Sequence, residues 1–98
     1  MSTFRSEARV PTSRSARYLG QLCKHFAHKI PASYSDSQGK IEFPAGICEL
    51  EAASDVLVLR AAAADAAALS QVEDVVARHL ERFAFRDQPE IRWTRGAA

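Results

Sequence analysis

The chain has 98 residues, of which 47% are hydrophobic and 26% are charged. This length suits one hydrophobic core, so we predict a single domain over residues 1–98. The hydrophobic content excludes a disordered chain, and only four glycines and four prolines exclude a collagenous or proline-rich one. A formal net charge of +1 excludes a polycation that binds nucleic acid through bulk charge.

The first third of the chain predicts a strand followed by a helix. Apolar and charged residues alternate over residues 4–10, which is typical of a half-buried strand, and Pro11 ends it. Apolar residues then recur every three or four positions, which places them on one stripe of a helix over residues 14–30. Pro31 closes this helix, because a residue before proline is pushed out of helical geometry.

The middle of the chain, residues 32–61, predicts a β-meander. Tyr34 marks a weak short strand, and a stronger strand follows around Ile41. Two more strands are predicted at residues 48–52 and 56–59. The second of these is apolar on both faces, as expected for a central strand.

The last third predicts a second helix and a final strand. Asp65 can cap a helix in the alanine-rich residues 61–68, since alanine has the highest helix propensity. An apolar stripe of helical spacing continues over residues 69–83, and alternation around Ile91 and Trp93 predicts the last strand.

The predicted order is therefore β-α-β-β-β-α-β. Each helix has one apolar stripe and needs one surface to cover, so we predict an α+β two-layer sandwich, with both helices on one face of a mostly antiparallel sheet. The other sheet face would carry charges of both signs, which indicates a solvated surface with weak ion pairs, or else an interaction or dimerisation surface. These charged residues are Arg5, Glu7, Arg9, Lys40, Glu42, Glu49, Glu51 and Arg92.

Location and cysteine usage follow from the same patterns. No apolar stretch approaches the roughly 20 residues that span a bilayer, and residues 1–10 lack the apolar core of a signal peptide, so we predict a cytoplasmic protein. Cys23 and Cys48 fall at apolar positions of separate predicted elements. We expect both to be buried thiols, and a redox or metal role is the alternative.

The first helix carries the clearest candidate for a binding site. No acidic residue lies between Ser13 and Ala32, whereas a face that only needs to be soluble normally mixes both signs. Such a face suits a phosphate, a carboxylate, an acidic cofactor or an acidic protein; the alternative is a solvated surface. Nucleic acid is disfavoured, because no stacking platform accompanies the charge. The candidate ligand or partner residues are Arg14, Arg17, Tyr18, Lys24, His25, His28 and Lys29.

An alternative function is a small enzyme or metal protein that uses histidines or a carboxylate. On a helix, Cys23 does not converge with His25 and His28, and these two histidines lack a third metal ligand, so we predict no metal site. His79 and Glu73 lie on or near the apolar stripe of the second helix. A nearby base would make Glu73 structural, whereas a cleft would make it a candidate general acid or base. No phosphate-binding loop, zinc-protease motif, CxxC pair or nucleophile elbow is present.

Three segments carry a family resemblance: LCKHFAHKIP at residues 22–31, GKIEFP at residues 39–44 and HLERFAFR at residues 79–86. Together they resemble a family of short bacterial proteins known as domain of unknown function 2218, over essentially the whole chain. The resemblance implies a cytoplasmic protein with no assigned activity. Some members of that family occur beside or joined to siderophore-interacting flavin reductases, which implies a link to iron-siderophore handling and a reductase or other acidic protein as partner.

The distribution of charge sharpens the prediction. Residues 1–30 hold six basic residues and one acidic residue, whereas residues 31–98 hold seven basic and eleven acidic residues. The chain is thus predicted to be a dipole with its positive end on the first helix. We therefore expect an accessory or binding domain, rather than an enzyme, that holds an anion or a partner there.

Overall fold

The elements follow the predicted order, with one strand added. The computed structural model describes residues 3–96. Its elements are β1 (Phe4–Pro11), α1 (Ser15–Ala27), β2 (Ala32–Tyr34), β3 (Gln38–Glu42), β4 (Gly46–Ala53), β5 (Val56–Ala63), α2 (Ala66–Phe83) and β6 (Thr94–Gly96). The predicted α+β sandwich is confirmed. The added strand is β2, the weak segment around Tyr34, which pairs with β3.

The six strands found within residues 3–96 form one sheet in the order β2-β3-β4-β5-β1-β6. Every pairing is antiparallel. β5 pairs along its whole length with both β1 and β4, and its buried Leu57, Val58 and Leu59 occupy both faces, as expected of a central strand. Both edge strands are only three residues long, which limits the unpaired backbone they expose.

Both helices cover the same face of the sheet. The stripe of α1, which includes Leu19, Leu22 and Phe26, and the stripe of α2 from Leu69 to Leu80 bury themselves against the inward side chains of the central strands. Burial of apolar surface supplies the main stabilisation. α2 begins where the sequence indicates, because the Asp65 carboxylate accepts a hydrogen bond of 2.7 Å from the backbone N–H of Ala68.

Two predicted boundaries differ from the structure. Ala61, Ala62 and Ala63 extend β5 beyond its predicted end at residue 59, because hydrogen bonds to the neighbouring strands on both sides outweigh the helix propensity of alanine. The last strand lies at Thr94–Gly96 instead of around Ile91 and Trp93, which pack half-buried against the core outside the ladder.

The face of the sheet away from the helices carries the predicted ion pairs. Glu7 accepts from both Arg9 and Arg60, at 3.0 and 3.1 Å, and Arg60 also reaches Glu51 at 3.0 Å. The hydrogen bond from Arg9, reinforced by Arg60, lowers the pKa of the Glu7 carboxyl. Arg92, expected on this face, lies instead in the segment before β6 and pairs with Glu90.

Neither helix within residues 3–96 is long and apolar enough to cross a membrane, and the cytoplasmic location stays a prediction.

Candidate anion site between the helices

A cleft of about 250 Å³ opens between α1 and the end of α2. One wall comes from the first two turns of α1 and the other from the last residue of α2 and the loop that follows it. Three guanidinium groups and three aromatic rings surround it, and we call it the arginine cleft. Its lining residues are Arg14, Arg17, Tyr18, Gln21, Phe83, Phe85 and Arg86.

One carboxylate lies behind the arginine cleft and organises one end of it. Asp87 accepts a hydrogen bond from Nη1 of Arg14 at 3.1 Å and another from the Tyr18 hydroxyl. Tyr18, expected on the exposed flank of α1, is only 4% exposed, because its ring packs in the core while its hydroxyl reaches this carboxylate. These bonds fasten the loop after α2 to the first turn of α1.

The other two arginines lie at the cleft without such a partner. Within the described chain, neither Arg17 nor Arg86 has a carboxylate within 4 Å. The guanidinium carbon of Arg86 lies 5.7 Å from the centre of the Phe85 ring, and Phe85 is 65% exposed. The arginine cleft therefore has two cations available to an anion and a third that Asp87 already holds in place.

Gln21 lines the cleft and carries a buried acceptor. The side-chain oxygen Oε1 of Gln21 is buried, and no donor of residues 3–96 reaches it. A buried acceptor without a donor costs about 1–3 kcal/mol. Because this oxygen has almost no accessible surface, a ligand in the cleft does not reach it.

The remaining candidate residues of α1 lie outside the arginine cleft. Lys24, His28 and Lys29 are exposed, and none of them has an acidic partner among residues 3–96. They form a second basic surface toward the end of the helix. The candidate residues thus divide into a cleft group at the start of α1 and an exposed group at its end.

His25 points toward α2, where it meets another histidine. Its ring centre lies 5.0 Å from that of His79 and 5.6 Å from that of Phe83. His79 Nδ1 lies 2.7 Å from the carbonyl oxygen of Val75, which favours the tautomer with its proton on Nδ1. Desolvation, with the nearby His79, lowers the pKa of the His25 imidazole. Phe83 separates this histidine pair from the arginine cleft.

The cysteines do not join the histidines. Cys23 and Cys48 are both fully buried and unbonded to each other, as the sequence predicts. Burial raises the pKa of the Cys23 thiol to about 11 and that of the Cys48 thiol to about 12. In the part of the chain that the structure describes, no three metal-ligating side chains come together.

Glu73 has a basic residue beside it. Arg95 of β6 reaches its two carboxylate oxygens at 3.0 and 3.4 Å and also donates to Ser70 at 2.7 Å. The Glu73 side chain is only 12% exposed, so this ion pair compensates its burial and ties β6 to α2. Of the two readings left open by the sequence, the geometry favours the structural one.

Comparison of the sequence with known protein families gives one match. Residues 7–94 match the sequence profile of a family described as "uncharacterized protein conserved in bacteria (DUF2218)". The chain belongs to the DUF2218 family. The resemblance carried by the three sequence segments is thereby confirmed. No curated protein matches this DUF2218 chain.

A solved structure of similar sequence shares the fold of this DUF2218 domain. The NMR structure of PA4090 from Pseudomonas aeruginosa is 37% identical and superposes with a TM-score of 0.79. The similarity covers 93% of this chain and 95% of that one. Neither the family description nor the name of the solved structure states an activity.

Sequence reasoning missed five residues at or behind the arginine cleft of this DUF2218 domain. One of them is Phe83, which was assigned only to the apolar stripe of the second helix. Gln21 looked like a neutral position on a basic helix. Phe85, Arg86 and Asp87 follow the second helix about 70 positions after Arg14. A basic residue beside an aromatic one after an amphipathic helix was the available signal, but it does not indicate which helix lies opposite.

Proposed function

We propose that this DUF2218 domain is a non-enzymatic binding module that holds an anionic ligand in the arginine cleft. The observation that supports the proposal is the imbalance of charge there: three guanidinium groups face one carboxylate, Asp87. Arginine presents a planar fork of donors that matches carboxylate and phosphate geometry. An anion between Arg17 and Arg86 would reduce this excess of positive charge.

The surroundings favour binding in the cleft over binding on an open surface. Tyr18 and Phe83 line it and limit the water around an ion, and Coulomb attraction strengthens where water is excluded. Asp87 holds Arg14 in place, so the guanidinium groups left for a ligand are those of Arg17 and Arg86. Lys24, His28 and Lys29 extend the positive field along α1, which would steer anions toward the protein.

The family resemblance adds a more specific proposal, that the ligand or partner belongs to iron-siderophore handling. A ferric chelate with free carboxylates is an anion of the required kind. A siderophore-interacting reductase with an acidic surface could instead dock on the exposed basic surface of Lys24, His28 and Lys29. Salt should weaken either interaction, since it screens charges at exposed sites.

The test is a titration followed by NMR chemical shifts, with inorganic phosphate, citrate and ferric citrate as probes at low salt. The variant Arg17→Glu/Arg86→Glu reverses both available cations of the cleft. The control Lys24→Glu/Lys29→Glu makes the same change of charge on the exposed surface. We expect the cleft variant to lose about tenfold or more in affinity for citrate and the control to lose about threefold or less.

Two results would overturn the proposal. One is that no probe binds the wild-type protein; the other is that both double variants lose affinity equally, which would indicate attraction by bulk charge alone. A pull-down with a siderophore-interacting reductase tests whether the exposed basic surface binds a protein partner. Loss of that interaction in the Lys24→Glu/Lys29→Glu variant, with citrate binding intact, assigns the exposed surface to the protein partner.

The histidines support a second candidate function, a metal or enzymatic site. The supporting observation is the 5.0 Å between the ring centres of His25 and His79. Two imidazoles fall short of the three or four protein ligands that zinc usually takes, and Glu73 is engaged with Arg95. Metal analysis of the purified protein, with and without His79→Gln, tests this candidate; absence of bound metal in both samples rejects a resident metal.

A further inference from the structure

Aromatic side chains make up much of the arginine cleft, which is more apolar surface than a simple anion needs. Phe83 and Phe85 line the side opposite α1. Phe85 is one of three large hydrophobic residues that stand exposed within residues 3–96, and it is the most exposed of the three. Leaving such a ring in water forgoes the stabilisation that burial would supply. Its position beside a cation suits a flat ligand that stacks on it.

The position of Arg86 beside Phe85 also favours a flat ligand. The guanidinium carbon lies 5.7 Å from the ring centre, within the range of a cation–π contact. A planar ring that carries a carboxylate can meet both members at once, with its face on the phenyl ring and its charge on the guanidinium. Inorganic phosphate can meet only the guanidinium.

The size of the cleft limits the ligand to about one ring. Its volume of about 250 Å³ lies below the roughly 300–1,000 Å³ of sites for drug-sized molecules. We infer that the arginine cleft binds a single-ring aromatic carboxylate. The carboxylate would contact Arg17 and Arg86, and the ring would lie on Phe85. This inference rests on the proposed function and adds the class of ligand.

A series of small acids tests the inference, each titrated by NMR under the same salt conditions. The series is acetate, cyclohexanecarboxylate and benzoate. All carry one carboxylate, so differences among them report the rest of the molecule, and the last two differ in the aromaticity of the ring. We expect benzoate to bind about fivefold more tightly than cyclohexanecarboxylate.

Two variants separate the contribution of the ring from that of the charge. Phe85→Leu should remove the preference for benzoate over cyclohexanecarboxylate. Arg17→Glu/Arg86→Glu should weaken the binding of all three acids. Tyr34→Leu changes another exposed aromatic residue, on β2, and should leave the whole series unchanged.

The outcomes separate this inference from the proposed function. If phosphate and citrate bind through Arg17 and Arg86 but the series shows no preference for a ring, the ligand class is wrong and the anion site stands. A ring preference that survives Phe85→Leu also overturns the inference. If no anion binds at all, both proposals fail together.

Discussion

Tyr18 and Asp87 lie 69 positions apart in the chain, and the phenol hydroxyl of one donates a hydrogen bond to the carboxylate of the other. The same carboxylate accepts from Arg14. One acidic side chain therefore holds the two walls of the arginine cleft together. It also competes with any anionic ligand for one of the three arginines.

Asp87→Asn should raise anion affinity while it lowers stability. Removal of the negative charge frees Arg14 for a ligand, so we expect citrate to bind about threefold more tightly. Loss of the charged hydrogen bonds should lower the free energy of unfolding by about 1 kcal/mol. Tyr18→Phe is the matched control, because it costs a similar stability but keeps the carboxylate and should not raise affinity. Equal citrate affinity in all three proteins would contradict the assignment.

The two thiols should be inert in the native protein. Burial raises their pKa values to about 11 and about 12, so both are protonated at pH 8, and neither is accessible. We expect Ellman's reagent to leave the folded chain unmodified and to react with both cysteines in denaturant. Ser37→Cys places a thiol in the exposed turn before β3 and should react at once. Rapid labelling of the native wild type would refute burial.

His25 should make stability depend on pH in the mildly acidic range. Its imidazole has a lowered pKa when folded, so the unfolded chain binds the proton more readily. The stabilisation is complete above the unfolded pKa of about 6.5 and is lost as the pH falls from there through the lower folded value. Desolvation is the main cause, and the charged groups that add to it are His79, His28, Lys29 and Arg82.

The measurement for His25 is the free energy of unfolding in urea between pH 7.5 and pH 5. The wild type should lose stability over this interval, and His25→Gln should show a shallower slope. Lys24→Gln removes a charge from the same helix without removing an imidazole, so it should keep the wild-type slope. A slope that His25→Gln leaves unaltered would show that another group causes the dependence.

Two glycines should respond to alanine in opposite directions. A Cβ at Gly46 would lie 2.3 Å from the backbone oxygen of Ala62, which forces the β4–β5 pair apart. A Cβ at Gly20, within α1, would meet only the ring of Tyr34 at 3.9 Å. We expect Gly20→Ala to stabilise by about 0.5–1 kcal/mol through helix propensity. Gly46→Ala should destabilise by about 1–3 kcal/mol. Thermal unfolding of both variants distinguishes the two signs.

Arg95 should matter more to the fold than its position near the end of the described chain suggests. Arg95→Ala leaves the mostly buried Glu73 carboxylate without its partner and should lower the free energy of unfolding. Hydrogen exchange of the β6 amides should accelerate at the same time. Glu73→Gln keeps an acceptor for Arg95 and should cost less. If both substitutions leave β6 exchange unchanged, the ion pair does not hold that strand.

Local patterns in the sequence were enough to predict most of the fold. Helical period places Leu19, Leu22 and Phe26 on one stripe whatever the rest of the chain does, and Asp65 caps the helix that follows it. The end of β5 was predicted too early, because the alanines after residue 60 favour a helix locally but pair with β1 and β4, whose residues are far away in sequence. The position of β6 likewise depended on where β1 still had a free edge.

The candidate site was likewise predictable from the sequence only in part. The sequence by itself determined that α1 is basic throughout, since the period of a helix and the absence of acids are local properties. Only the tertiary structure decided that Tyr18 is buried and that Asp87 holds Arg14. Packing of the end of α2 against α1 also brought Phe85 and Arg86 opposite Gln21. Those relationships join residues more than 60 positions apart, and packing of the two helices on one sheet face, not any local propensity, fixes which of them meet.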